Sequence, residues 1–441
     1  MIPARTLKGF RDYPPQMMIP RERIMDIARR VYRSYGFAPI DTPALEYLEI
    51  LAGKGSEETD KQLYRFQDHG GRWVALRFDL TVPVARFTAQ HLNELGTPFK
   101  RYHIAPVWRG ENTQRGRYRE FVQCDFDTIG SRSLTSDIET TLVIHDLLRA
   151  IGFNEFTIRI NNRKVLNGLL ERLGLGDRAV AVLRALDKWG KIGAEGVKRE
   201  LEEVAHLTDG QANDVLRLTE IHGEIDTVLR EAERLVQGST IGEEGVAELR
   251  EVVRGAVAGG VARECLVVDL AIARGLDYYT GTIYETFLAA LPGIGSVCSG
   301  GRYDHLAALF TTQPLPGVGA SLGLDRLLAA MEELGMLEAV STPAPVFVVF
   351  FDPNRRDDYL RLASRLRAAG LGVELYPEPK KLAQQLKYAD RRGHRVAILI
   401  GEDEFQKGIC QVKDLKAGTQ SEVPLDPECA AIIETLRKLL G

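Results

Sequence analysis

Apolar positions along this chain follow two periods, and the switches between them mark out its elements. From about Pro20 to Tyr35, Ile24, Ile27, Ala28 and Val31 recur at helical spacing until Gly36 interrupts them. Phe37–Glu46 reads as extended, but Pro39 and Pro43 restrict it to a sheet edge or a loop. Leu63–Phe66 and Arg72–Arg77 flank Gln67-Asp-His-Gly-Gly71, a hairpin signature. Phe78-Asp-Leu-Thr-Val-Pro83 then opens a helix, with Thr81 as its cap and Pro83 in its first turn. Between Arg101 and Thr128 two strands enclose a basic, glycine-containing loop. The second strand alternates: Arg119, Phe121, Gln123, Asp125 and Asp127 share one face, and Val122, Cys124 and Phe126 the other. An apolar face against a core is ordinary. The opposite face, with a ring, an amide and two carboxylates, is either open to water or lines a polar cleft.

The texture changes at about Asn162. As far as Gly260 the chain consists of charged helical segments such as Val197–Ala205 and Ile225–Leu235, which read as an insertion between two halves of another domain. Cys265–Ile272 is a strand leading into an aromatic turn, and Gly317–Leu328 a glycine-rich strand running into a helix. After Ser341-Thr-Pro-Ala-Pro345, a linker by composition, the apolar runs Val346–Phe351, Val373–Tyr376 and Val396–Ile400 alternate with amphipathic helices over 357–369 and 380–392. That alternation predicts a small α/β domain on a mainly parallel sheet.

Length and charge narrow the class. A chain of 441 residues exceeds one compact core and predicts two or three domains. With 44% hydrophobic and 27% charged residues, it is neither disordered nor membranous. No apolar run reaches spanning length and the first eight residues lack a signal-peptide core, so a soluble, cytoplasmic protein without a membrane partner is expected. The net charge of −4 does not announce a nucleic-acid partner, nor does it exclude one, because phosphate binding depends on local patches. Five cysteines are odd in number and far apart, and eight histidines show no ligand spacing. Buried thiols are expected; no disulfide framework and no side-chain metal site is assigned.

The chemistry concentrates in the loop. Arg109, Arg115, Arg117 and Arg119 surround Gly110, Glu111 and Gly116, a density of guanidinium that suits a polyanion, since arginine grips phosphate and carboxylate oxygens in pairs. Phe121, on the same strand face, could stack under a base. Gly317-Val-Gly319 lacks both the Gly-x-Gly-x-x-Gly register and Gly-Lys-Ser/Thr, so it is no dinucleotide or phosphate loop. Its small side chains instead let a flat base approach the sheet, with Arg326 on the following helix directed back at the phosphates.

Arg109-x-Glu111 followed by Arg117-Tyr-Arg-Glu-Phe121 resembles motif 2 of class II aminoacyl-tRNA synthetases, and Gly116–Gln123 followed by Cys124-Asp-Phe-Asp127 resembles the histidyl-tRNA synthetases in particular. Arg274-Gly-Leu-Asp-Tyr-Tyr-Thr-Gly281 is similar, almost letter for letter, to the histidine-specific motif of that family, and Ser299-Gly-Gly-Arg-Tyr-Asp304 to its second. Tyr35–Glu46 resembles motif 1, the dimer interface in that family, and Gly317–Leu328 resembles motif 3.

The resemblance covers nearly the whole chain. It implies an α+β catalytic domain on an antiparallel sheet in two parts, 1–162 and 261–340, a helical insertion over 163–260, and a C-terminal α/β anticodon-binding domain over 345–441. It implies a homodimeric histidine–tRNA ligase taking L-histidine, ATP with Mg²⁺ on its phosphates, and tRNA(His). Arg109 and Arg274 would neutralise the carboxylate and the α-phosphate, Arg117 and Arg326 would hold the β- and γ-phosphates, Phe121 would stack on adenine and Glu111 would orient it. Asp79, Thr81 and Gln123 would hold the α-amino group; Asp79 stands where many bacterial members have Glu. Asp127 and Tyr279 would meet the imidazole, with Tyr278 and Tyr303 walling the pocket. Lys380, Lys381, Lys387, Arg391, Arg392 and Arg395 form a basic cluster suited to RNA. Two alternatives differ in sequence. A non-catalytic paralogue, such as an ATP phosphoribosyltransferase regulatory subunit, typically loses the phosphate arginines or a terminal domain, and a threonine, proline or glycine synthetase lacks the 274–281 motif.

Overall fold

The computed structural model describes residues 1–52, 57–273, 278–337 and 340–441. They fold as two compact units, residues 1–11 with 24–334 and residues 12–23 with 335–441. The strands of the first unit are β1 (Ala38–Pro39), β2 (Leu45–Tyr47), β3 (Arg65–Gln67), β4 (Trp73–Leu76), β5 (Phe99–Trp108), β6 (Glu120–Ile129), β7 (Phe156–Asn162), β8 (Leu266–Val268), β9 (Thr282–Leu288), β10 (Cys298–Tyr303) and β11 (Gly317–Gly323). Eight of them form one sheet in the order β1-β5-β6-β11-β10-β9-β7-β8. Its interior pairings are all antiparallel, and only the edge strands β1 and β8 pair in parallel. This is the α+β sheet expected, with the proline-restricted β1 at its edge.

The alternation along β6 decides which way the sheet faces. Cys124 and Phe126 turn into the core, where the Tyr32 ring lies 5.0 Å from that of Phe126 and the Tyr32 hydroxyl donates to the Cys124 carbonyl at 2.9 Å. The helix Leu134–Ile151 contributes Val143, Ile144 and Leu147 to the buried core; Ser133 caps its first turn and Gly152, in the left-handed conformation, ends it. On the other face Gln123, Asp125 and Asp127 are buried too. That face is a cleft.

Two local expectations change. The first helix runs Pro15–Ser34, starting earlier than the apolar stripe indicates, because proline is tolerated in a first turn whose N–H groups have no helical partner. Thr81 is not a cap but the first residue of the helix Thr81–Gln90; Asp79 Oδ1 accepts the Val82 N–H at 3.1 Å and does the capping. The expected hairpin is present as β3 and β4, its turn closed by Asp68 Oδ1 accepting the N–H groups of Gly70 and Arg72. It joins β2 in a separate three-stranded sheet.

The charged segment folds into helices Arg163–Arg172, Ala179–Asp187, Trp189–Glu203 (broken at Gly193), Asp209–Leu216, Ile225–Val236 and Thr240–Ala258, all within the first unit. Lys164 ties the first of them to Glu248 of the last, at 2.6 Å.

The second unit has strands β12 (Val346–Val348), β13 (Val373–Leu375), β14 (Val396–Leu399), β15 (Ile409–Asp414) and β16 (Gln420–Pro424) in the order β13-β12-β14-β15-β16. The first three are parallel and the last two antiparallel. The sequence predicts a mainly parallel sheet; only the short helix Glu402–Lys407 separates β14 from β15, too little chain for a parallel crossover. Tyr359, Leu362 and Leu366 with Ile432 and Leu436 cover one face, and Ala389 covers Phe347 and Ala397 on the other. All five cysteines are buried and none forms a disulfide. Among the described residues no helix is long and apolar enough to cross a membrane.

Candidate active site

Two compartments open on the cleft face of the large sheet. One, about 640 Å³, is lined by Arg109, Glu111, Gly116, Arg117, Phe121, Asp325 and Arg326, among others. The other, about 700 Å³, is lined by residues including Asp79, Thr81, Tyr278, Tyr279 and Glu285. Arg109, Gln123, Ser299 and Ser321 line both, so the compartments meet along one wall.

Short-range contacts hold the first compartment in shape. Arg109 Nε donates to the Phe78 carbonyl at 2.9 Å and its guanidinium lies 5.1 Å from the centre of the Phe121 ring, which fixes a long side chain at the junction. Gly116 adopts φ +68°, and a Cβ there would stand 3.1 Å from the Arg326 Cα. Only glycine lets the loop lie this close to the helix Leu324–Glu333, which brings Arg117 and Arg326 to the same cleft. Arg117 is within 3.5 Å of Glu111, and Arg326 donates to the Ser296 carbonyl at 2.5 Å. Asp325, which the sequence reading passes over, accepts the Val122 N–H at 2.9 Å and pairs with Arg11 at 3.0 Å, pinning β6 to the helix that bears Arg326. Of the other loop arginines, Arg115 pairs outward with Glu333, and Arg119 donates to the Glu111 and Lys8 carbonyls; neither lines the cleft. Their work is structural.

The second compartment is walled by phenols and floored by carboxylates. The Tyr278 ring packs edge-on against Tyr279 (5.2 Å) and Tyr303 (6.0 Å). Burial raises all three hydroxyls above their ordinary range, so they stay neutral. Burial also pushes Asp79 up to about 6, against the Val82 N–H and the positive charge of Arg109. Its Oδ2 is buried and unpartnered, as is Gln123 Oε1. Two unsatisfied acceptors facing a cavity suit a ligand with several donors, such as an ammonium.

Asp127 lies under this floor, its Oδ1 accepting the Tyr303 hydroxyl at 2.6 Å and its Oδ2 2.5 Å from Arg101 Nη2. Arg101 is another residue that the sequence reading misses. It is completely buried on β5, in register with Asp127, and Asp79, Asp125 and Asp127 all feel its charge. The hairpin register would have revealed the pairing, had the loop length been known. Gly319 keeps space over this carboxylate: a Cβ there would meet Asp127 Oδ1 at 2.3 Å.

Arg274 lies outside the described residues. Of the described residues on either side of it, Ala273 accepts Arg163 Nη1 at its carbonyl at 2.8 Å, and the Gly281 carbonyl accepts the Arg163 N–H, also at 2.8 Å. In the second unit Lys380, Lys381, Lys387 and Arg391 are exposed around the helix Leu382–Arg392, with Arg392 half-buried. Arg395 pairs instead with the buried Asp414 at 2.8 Å and leaves the basic cluster. Among the described residues no group of three or more His, Cys, Asp or Glu could hold a metal ion.

The family model for histidyl-tRNA synthetase matches residues 9–327 of this chain, and that for the anticodon binding domain matches 345–435. The chain belongs to the histidyl-tRNA synthetase family. A histidine–tRNA ligase of Rhodopirellula baltica is 61% identical over 99% of both chains, and one of Wolinella succinogenes is 46% identical over 100% of this chain and 99% of its own. The crystal structure of the histidyl-tRNA synthetase from Nostoc sp. superposes with a TM-score of 0.89 at 38% identity, covering 99% of this chain and 100% of that one. A Bacillus halodurans structure described as an ATP phosphoribosyltransferase regulatory subunit/histidyl-tRNA synthetase superposes at 0.73 with 27% identity, covering 87% of this chain and 96% of that one.

Proposed function

We propose that this chain activates L-histidine with ATP and transfers it to tRNA(His), the activity of a histidine–tRNA ligase. The observation that supports it most is the shared wall of the two compartments, where Arg109 faces both. In the first step a carboxylate oxygen of histidine attacks the α-phosphorus of ATP, the bond to the β-phosphate breaks, and pyrophosphate leaves. In the second, the terminal ribose hydroxyl of the tRNA attacks the acyl carbon and AMP leaves. No side chain need act as nucleophile. Two anions that repel each other must be aligned, and the charge developing on the α-phosphate stabilised, by Arg109 and Arg274. Arg117 and Arg326 take the outer phosphates of ATP, which arrives as its Mg²⁺ complex, while Phe121 stacks on adenine and Glu111 orients it. Asp79, Thr81 and Gln123 take the α-amino group, Asp127 and Tyr279 the imidazole. Arg109, Arg117 and Arg326 all line the cleft, which favours a catalyst over a paralogue without activity.

We assign 1–162 and 261–340 to catalysis, 163–260 to a helical insertion and 345–441 to the anticodon-binding domain, with Lys380, Lys381, Lys387, Arg391 and Arg392 meeting the tRNA. Charging of tRNA(His) with labelled histidine tests the whole reading, and no charging would refute it. Lys387→Glu with Arg391→Glu should raise the KM for tRNA about tenfold and leave histidine-dependent pyrophosphate exchange unchanged, since both cations sit in the other unit from the cleft. Exchange falling in step with charging would contradict that division.

The protein acts as a homodimer. On one face of the three-stranded sheet Leu45, Tyr47 and Phe66 are exposed, an apolar face that a lone protomer would leave in water. It follows directly on the motif 1 segment, and two-fold pairing of one face is the commonest closed assembly. Light scattering should give twice the mass of the 49.1 kDa chain. A single-chain mass at micromolar concentration would rule the dimer out.

A further inference from the structure

The segment before the first helix lies against the loop that carries Arg117, and both belong to the first unit. The Gly9 carbonyl accepts the Arg119 N–H at 2.9 Å, and the Lys8 carbonyl accepts Arg119 Nη1 at 3.3 Å. The Phe10 ring packs edge-on against Tyr64 at 6.1 Å. Arg11 then joins the loop to the helix behind it. Its Nη1 donates to the Tyr118 hydroxyl at 2.9 Å, with the guanidinium 3.9 Å from the centre of the same ring, and its Nη2 pairs with Asp325 Oδ1 at 3.0 Å. The other oxygen of Asp325 accepts the Val122 N–H, so that carboxylate is fixed from two sides. Arg11 is 23% exposed and Asp325 2%, which keeps the pair largely out of water, where a charge-assisted contact holds best. Tyr118 follows Arg117 in the loop, and Asp325 precedes Arg326 on the helix Leu324–Glu333. One guanidinium therefore ties together the immediate neighbours of the two cations assigned to the outer phosphates.

We propose that Arg11 is a positioning residue that sets the spacing of Arg117 and Arg326, and with it the fit of the cleft to the β- and γ-phosphates of ATP. The inference rests on the reading that Arg117 and Arg326 hold those phosphates. Two like charges facing one empty cleft repel, so a loop without support would carry Arg117 away from Arg326. A planar guanidinium presents its two Nη groups in a fixed fork, and the Tyr118 hydroxyl and the Asp325 carboxylate are thereby held a fixed distance apart. A lysine here would keep the charge but offer a single nitrogen on a flexible stem, which fixes neither distance nor direction. Because loop and helix are joined before ATP arrives, less ordering is left to be done on binding. The Asp325 carboxylate also balances the charge of Arg11, so Arg11 acts through its two neighbours rather than through its own field at the phosphates.

Arg11→Lys and Tyr118→Phe test this, the first removing the fork and the second one of its acceptors, each with little change of volume. Histidine-dependent pyrophosphate exchange gives the KM for ATP, the KM for histidine and the inhibition constant of AMP, which has the adenine and the α-phosphate without the outer two. Arg11→Lys should raise the KM for ATP about tenfold and Tyr118→Phe about threefold, the loss of a charge-assisted bridge and of one hydroxyl acceptor, while the AMP constant and the histidine KM move by less than about twofold. Arg326→Ala, run alongside, should show the same selectivity for ATP over AMP. If Arg326→Ala weakens ATP and AMP alike, or neither, the reading of Arg326 as a ligand of the outer phosphates falls. If Arg326→Ala is selective but either Arg11→Lys or Tyr118→Phe leaves the KM for ATP unchanged, or weakens AMP as much as ATP, the positioning role is overturned. Should Arg11→Lys fail to fold, Tyr118→Phe decides alone, since it removes one hydroxyl from a half-buried ring.

Discussion

Arg109→Ala should lower the rate of histidine-dependent pyrophosphate exchange by about 10² to 10³ while changing the KM for histidine far less. Among the described residues Arg109 is the cation lining both compartments, and it is held there by the Phe78 carbonyl and the Phe121 ring. A charge so placed meets the carboxylate and the α-phosphate together only when they are forced into contact, so it stabilises the transition state more than either bound substrate. Rate and KM measured under saturating ATP separate the two cases. A large rise in histidine KM with turnover intact would place Arg109 in ground-state binding.

Asp127→Ala should reduce kcat/KM for histidine by about 10⁴ and also destabilise the protein. The first effect follows if the carboxylate receives an imidazole N–H, since a site built around a buried polar group strongly disfavours losing its partner. The second comes from Arg101, a fully buried cation whose close ion pair among the described residues is with Asp127. Removing one partner of such a pair typically costs about 3–5 kcal/mol. Asp79 and Asp125 also act on Arg101, so the lower end of that range is expected. Thermal unfolding and kinetics of the same preparation report the two effects separately. An unchanged melting temperature would show that Arg101 does not depend on Asp127, and an unchanged kcat/KM that the imidazole is met elsewhere.

The contrast between Asp127 and Arg101 shows what the sequence could and could not carry. The period-two face of β6 puts Phe121, Gln123 and Asp127 together from spacing alone, and in the structure Phe121 and Gln123 line the cleft while Asp127 lies beneath its floor. Arg109 and Arg117 share one loop, but Arg326 comes from a segment some two hundred residues on, and its distance in sequence from that loop hides that the three meet in one cleft. Arg101 and Asp325 act through cross-strand register and helix-to-strand contacts, which depend on loop geometry that no local pattern encodes. The same holds for Asp79, which caps the helix through Oδ1 where the pattern suggests Thr81, and which lines the cleft together with Thr81. In the second unit the alternating pattern predicts strands and helices correctly, but it cannot distinguish a parallel return from an antiparallel one when the connection is short.

The most direct test is pyrophosphate exchange by the intact chain, without tRNA, offered each of the standard amino acids in turn with Mg²⁺ and ATP. Exchange should depend on histidine and stay at background with the other amino acids if the two compartments that share Arg109 and Gln123 take ATP and histidine as proposed. Exchange driven equally well by another amino acid, or none with histidine, would contradict it.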